Sequence, residues 1–294
     1  MEQLPCRIIE PGKVYFDYGP VSMVVMAYRG QEPMTEACVQ SFRVIDGTLR
    51  ELTASLDLLK RYPDEIPDHL LTGLPLEMLR AVRSVDEPTL TPMATVAGAV
   101  ADTVADHLKA LGASRVIVNN GGDIALRLDP GEEARVGIMS SLAEGKIDTI
   151  VNIRAEDGIG GIATSGLGGR SFTRGVAQGV SAFAPRCILA DALATHLANS
   201  SYIVSERVLT TKAGILDPLS DIGDLEVVIG VDRLTDLEVQ MACENLLAEA
   251  RRQQARGNLT AMRARIQDQK LDLPDGALHI PAKSPTKKGD ASTC

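Results

Sequence analysis

The sequence predicts an α/β protein of the α+β kind, a mixed sheet with flanking helices. Three observations predict it. Short runs rich in Val and Ile recur along the chain, as in "VSMVVMAY" (21–28), "SRVIVNN" (114–120) and "LEVVIGV" (225–231). Two segments carry helical periodicity, "TPMATVAGAVADTVADHLKALG" (91–112) and "ILADALATHLAN" (188–199). The strand-like runs come in pairs with helices interspersed, and no segment repeats another.

Taken in order, 21–28 and "CVQSFRVID" (38–46) read as paired strands turning through "RGQEPMTE". Residues 47–62 read as helix, and a proline-broken stretch runs from Pro63 to Pro92. In the next helix Thr91 suits the N-cap, Pro92 the first helical position and Gly112 the end. Val96, Val100, Val104 and Leu108 form its apolar stripe, and Ala94, Ala97, Gly98 and Ala101 a second face of tiny side chains. Strands at 114–120 and 124–128 flank Gly121-Gly122; 134–139, 148–155, 161–166 and 180–185 continue the series. After the 188–199 helix come a strand at 225–231, a helix at 232–254 capped by Asp232, and a helix at 258–270. A single domain over 1–280 and a disordered, Pro/Ser/Lys-rich tail over 281–294 are expected, with the strand order left open.

The 294 residues suffice for a sizeable core, which must be aliphatic because aromatics make up 3% and tryptophan is absent. A net charge of −9, with Arg251-Arg252 and Lys287-Lys288 as the basic doublets, argues against nucleic acid as a partner. No apolar run reaches the roughly 18 residues of a membrane span. Five scattered cysteines without CxxC spacing, and a start without a signal-peptide pattern, lead to the expectation of free thiols in a cytoplasmic protein.

Four places can carry chemistry. The start of the 91–112 helix offers free N–H groups to a phosphate, or its small residues serve tight packing. "VNNGGDIAL" is a hairpin signal whose glycines also admit a ligand, with Asp123 as acceptor. The glycine-rich stretch 156–175 reads as a phosphate loop using Thr164, Ser165, Arg170 and Arg174, or as a surface loop. In the 188–199 helix, Asp191 and Thr195 sit one turn apart on one face among alanines. Their oxygens suit Mg²⁺; a solvated edge, or a threonine bonded back to its own helix, is the plainer alternative.

"TVAGAVAD", "RVIVNNGGDIAL", "ARVGIM", "GIATSG", "VSAFAP" and "ILADALATHLA", in that order, resemble the ApbE superfamily, the FAD:protein FMN transferases. The resemblance covers about residues 90 to 200 and is closer to a compact ApbE-like branch of bacteria and methanogenic archaea. It implies an ApbE-like fold with FAD as ligand or substrate and Mg²⁺ held by Asp191, Thr195 and the Ala94 carbonyl. It implies that Asn120, Gly121, Gly122, Asp123, Thr164, Ser165 and Gly166 line the nucleotide. Two departures stand out. The transferases' insertion after "ATSG", with its histidine motif, is replaced by "LGGRSFTRGVAQG", and the family lysine before the helix glycine is Ala97. No general base is therefore assigned. The expectation is a Mg²⁺-dependent flavin-nucleotide protein, a divergent phosphoryl transferase or FAD hydrolase, with a homodimer and a protein redox partner as further partners. The alternative is a non-catalytic flavin-binding accessory protein in redox metabolism or reductive sulfur assimilation (homocysteine synthesis).

Overall fold

The computed structural model describes residues 5–274, so the tail expected at 281–294 lies outside the described residues. The chain opens with strands β1 (Cys6–Glu10), β2 (Lys13–Tyr18), β3 (Val21–Arg29) and the short β4 (Glu32–Pro33). Helices α1 (Thr35–Gln40), α2 (Phe42–Ala54), α3 (Leu56–Leu59), α4 (Gly73–Val85) and α5 (Val96–Ala110) follow. Then come β5 (Arg115–Asn120), β6 (Asp123–Leu128), β7 (Glu133–Ile138), β8 (Thr149–Arg154), β9 (Gly161–Ser165) and β10 (Gly179–Ala184). The remainder is α6 (Cys187–Ser200), β11 (Val208–Lys212), α7 (Ala213–Leu216), β12 (Glu226–Val231), α8 (Asp236–Ala255), β13 (Ala261–Ile266) and β14 (Gln269–Leu273).

Ten strands form one sheet in the order β1-β2-β3-β5-β6-β9-β10-β13-β14, with β4 on β3, and its pairs are antiparallel. Side chains alternate between its faces. Val116, Val118, Ala125, Ala163, Val180 and Ala182 enter the core shared with the helices. Ile124, Leu126, Ile162 and Phe183 point the other way, where the β7–β8 ribbon covers them in a second core. Helix α6 lies on β9 and β10 and also touches α4, α5 and α8. Neighbours on so many sides explain its composition: Ala190, Ala192, Ala194 and Ala198 are buried, as are Leu193 and Leu197. Alanine lets all these elements approach closely.

Several elements differ from expectation. Residues 38–46 belong to α1 and α2 and not to a strand: Cys38, Ser41, Ile45, Thr48 and Leu52 are buried, spaced as one helix face, while β3 pairs with β5. The proline-broken stretch holds α4, which accommodates Pro75 in its first turn, where an N–H has no helical partner. The 91–112 helix starts as a tight turn over Pro92–Thr95; the Thr91 hydroxyl bonds Asp221 instead of capping it. Helix α8 is capped by Thr235 with Glu238, a capping box, and not by Asp232. Residues 258–270 form the β13–β14 hairpin; five of the six β13 residues are buried, as an inner strand requires and a one-sided helix does not.

Candidate functional site

Part of the predicted set comes together where the β5–β6 turn meets the first turns of α5 and α6: Asn120 bonds Ala97, Asp191 bonds Gly98, and Asp123 acts electrostatically on Asp191. Strands β5 and β6 are joined by the two-residue turn Gly121-Gly122, both at positive φ (68° and 119°), in register Asn120↔Asp123. These glycines are required by the turn geometry. Their amides are already used: Gly121 N–H donates to Ser22 O (3.0 Å) and Gly122 N–H to Asn119 Oδ1 (2.9 Å). The turn therefore brings space to the site, and not hydrogen-bond donors. Asn120 is buried and donates through Nδ2 to the Ala97 carbonyl (3.1 Å), which ties β5 to the start of α5.

Helix α5 comes extremely close to α6 at Gly98. A Cβ there would lie 2.5 Å from the Cys187 carbonyl oxygen and 2.9 Å from Asp191 Cβ. That resolves the role of the small-residue face, which is packing. It also resolves the free amides, because Asp191 Oδ2 accepts from Gly98 N–H at 2.9 Å. Asp102, unnoticed in the sequence and fully buried on α5, accepts from Ile188 N–H at 2.9 Å in the first turn of α6. Each helix thus caps the other through an aspartate. An anion aimed at either helix start meets a carboxylate already in place.

Asp191 and Asp123 retain partly exposed edges, yet desolvation dominates at both carboxyls. Burial, and after it the charge of Asp123, raises the Asp191 carboxyl well above the usual carboxylate range, against the pull of the Gly98 and Ala97 amides. Burial pushes Asp123 up to about 7, opposed by a main-chain hydrogen bond from Thr164 and by the Arg170 guanidinium. The charge of Asp123 thus opposes the ionisation of Asp191 from a different element, and neither carboxyl has a protein cation in salt-bridge contact among the described residues.

Thr195 lies one turn beyond Asp191, and Asn199 a turn further accepts from the Arg174 main-chain N–H (2.8 Å). The Thr195 hydroxyl has no hydrogen-bond partner among the described residues, unlike Thr103, which bonds back to Ala99 O. Ala94 sits in the Pro92–Thr95 turn, which packs on α6. On β9, Ser165 is buried with its Oγ unpartnered. It shares the helix-facing side of the sheet with Ala163, whereas Thr164 points to the opposite face and bonds Ser181 Oγ (2.7 Å). Only the Thr164 main chain reaches the site. Gly166 adopts φ 149°, and a Cβ would lie 2.9 Å from Ala177 O, so the chain's own packing demands it. Of the two arginines in the loop, Arg174 turns away to the Thr89 hydroxyl (2.8 Å), while Arg170 lies over Gly121. His196, next to Thr195, is buried on another side of α6 and pairs with Glu249 (2.7 Å). A cavity of about 390 Å³ between the start of α8 and the β13–β14 hairpin contains none of the predicted residues.

Among the described residues no three His, Cys, Asp or Glu side chains gather into a metal cluster. The two groups whose charges interact are hard-oxygen donors, the carboxyls of Asp191 and Asp123; Thr195 follows Asp191 by one turn of α6, and Ser165 ends β9 with its Oγ unpartnered. Hard oxygen is the donor type Mg²⁺ accepts, usually with one or two carboxylates completed by water and phosphate.

The family described as AbpE bacteria matches residues 6–273, and the chain belongs to that family. The UPF0280 protein of Methanospirillum hungatei is 34% identical over 157 residues, 50% of this chain and 63% of that protein. The UPF0280 protein of Methanoregula boonei is 29% identical over 198 residues, 64% of this chain and 82% of that protein. The match to the Methanothermobacter thermautotrophicus UPF0280 protein, 31% identical, takes in 52% of this chain and 60% of that protein. The chain thus spans about three fifths of the length of two of these relatives. Among solved structures, the flavin transferase ApbE from Vibrio cholerae aligns over 76% of this chain and 97% of that one, at 14% identity and a TM-score of 0.41. Membership therefore rests on the family match. No helix of the described residues is long and apolar enough to cross a membrane.

Proposed function

We propose that this chain binds FAD or a related flavin nucleotide together with Mg²⁺ at the Asp191–Thr195 face of α6, and cleaves the nucleotide's pyrophosphate. The observation that carries the reading is the pair of desolvated carboxyls, Asp191 and Asp123, the second of which acts electrostatically on the first, with Thr195 one turn along the same helix. A divalent cation would relieve that repulsion, and the motif resemblance to the FAD:protein FMN transferases suggests the flavin. When bound, Mg²⁺ would neutralise charge on the phosphate oxygens. Asp191 and Thr195 would hold it, with Ala94 presenting a main-chain carbonyl. Asn120, through its bond to Ala97, fixes β5 against the helix start. The Asp123 carboxyl, neutral or charged near pH 7, faces the same space.

A second reading has its own observation. The one described histidine adjacent to the site, His196, is committed to Glu249 and cannot serve as its base. A flavin-binding accessory protein, in redox metabolism or reductive sulfur assimilation, needs none. Incubation of the full chain with FAD, Mg²⁺ and a peptide bearing the transferase acceptor motif separates the readings. Release of FMN and AMP with little fluorescent peptide is the expected outcome. Efficient peptide flavinylation would establish transfer instead, and tight binding without cleavage would favour the accessory role.

A further inference from the structure

A bound pyrophosphate needs positive charge, and most local sources are already committed. The first-turn amides of α5 and α6 are capped by Asp191 and Asp102. The Gly121 and Gly122 amides are spent on Ser22 and Asn119. Arg174 bonds Thr89, and Arg127 and Arg186 are held by Asp102 and Asp106. Arg170 is different. It makes no hydrogen bond or salt bridge with any described residue, and it is exposed. Its position is nonetheless defined: a Cβ on Gly121 would lie 2.8 Å from its Nη1 and 3.5 Å from its Cζ. The guanidinium therefore occupies the room that the missing side chain leaves. From there it acts electrostatically on Asp123 without touching it.

We infer that Arg170 is the phosphate-binding residue of this site and selects phosphorylated ligands, nucleoside diphosphates and their flavin conjugates, over unphosphorylated ones. A guanidinium matches phosphate oxygens with two parallel donors, which a lysine cannot do. Gly121 gains a purpose beyond its turn geometry, since any side chain there would push the guanidinium off the rim. The glycine loop from β9 to β10 thereby supplies a cation beside Asp123.

This inference rests on the proposed nucleotide site, and the test separates the two. Affinities of the full chain, Arg170→Ala, Arg170→Lys and Asp191→Asn are measured for FAD, ADP and riboflavin in Mg²⁺ at low ionic strength. Loss of one charged hydrogen-bonding partner is worth about tenfold or more. Arg170→Ala should weaken FAD and ADP by that factor and leave riboflavin unchanged. Arg170→Lys should recover part of the loss, and salt should weaken wild type more than Arg170→Ala. Equal FAD and ADP affinities in wild type and Arg170→Ala would overturn the role of Arg170, while loss in Asp191→Asn would keep the metal site. Wild type that binds ADP but not FAD would overturn the flavin reading alone. Failure of wild type to bind either phosphorylated probe would overturn both.

Discussion

Asp123→Asn tests the electrostatics of the site without any ligand. The carboxyl moves from an ordinary 3.8 to about 7 on folding, chiefly because burial disfavours its charge. Below about pH 4 it is protonated in both the folded and unfolded chain and costs nothing. Between about pH 4 and pH 7 the unfolded chain ionises first, so folding must take up a proton and stability falls as pH rises. Above about pH 7 the penalty levels off. A difference of roughly three pH units corresponds to about 4 kcal/mol, an upper value because Asp191 shares the titration. Asparagine keeps an acceptor for the Thr164 amide and removes the charge. Urea unfolding followed by circular dichroism, in EDTA across about pH 4 to pH 8, should show wild type losing stability relative to the variant by up to about 4 kcal/mol. Because removing Asp123 also removes one of the pushes on Asp191, the variant's own slope should be smaller but not flat. Mg²⁺ at a hundredfold excess over its Kd should return about 2.7 kcal/mol to wild type at the alkaline end. Parallel stability profiles for the two proteins would refute the buried-carboxylate account.

Thr195→Val, nearly the same shape, removes a hydroxyl that bonds nothing described. Its unfolding free energy should change by less than about 0.5 kcal/mol, while calorimetric Mg²⁺ affinity in the presence of nucleotide should fall about tenfold. Gly98→Ala places a methyl 2.5 Å from the Cys187 carbonyl, so a helix must shift. Destabilisation of about 1–3 kcal/mol by chemical denaturation is expected, and an unchanged midpoint would show that the α5–α6 contact is looser than described.

Much of this site was legible because its oddities are local. A carboxylate and a hydroxyl at i and i+4 among alanines mark α6, and Asn-Gly-Gly-Asp marks the β5–β6 turn, which the structure forms in that register. What was not legible depended on partners distant in sequence. The alanine-rich face at Gly98 could be a phosphate cradle or a packing surface until Cys187 and Asp191, 89 and 93 positions later, closed on it. Thr164 and Ser165 are neighbours in the sequence, yet the pleat sends their side chains to opposite faces, and only strand pairing tells which faces the helices. Asp102 carries the same local signal as Asp191, an acid inside an apolar helix, but what it caps, the Ile188 amide, lies 86 positions further along the chain. The error at 258–270 has the same origin, since an inner strand buries both faces and loses the alternation that marks it.

The central claim is that the α6 face holds a metal that joins the protein to a nucleotide phosphate. Calorimetric titration of FAD into wild type and Asp191→Asn, in Mg²⁺ and in EDTA, tests it most directly. Asparagine preserves the acceptor for Gly98 N–H, so the variant should stay folded, as circular dichroism would verify. The account predicts binding by wild type in Mg²⁺, its loss in EDTA, and weak binding by Asp191→Asn in either buffer. Equal FAD affinity with and without metal, or an Asp191→Asn variant that binds as wild type does, would contradict it.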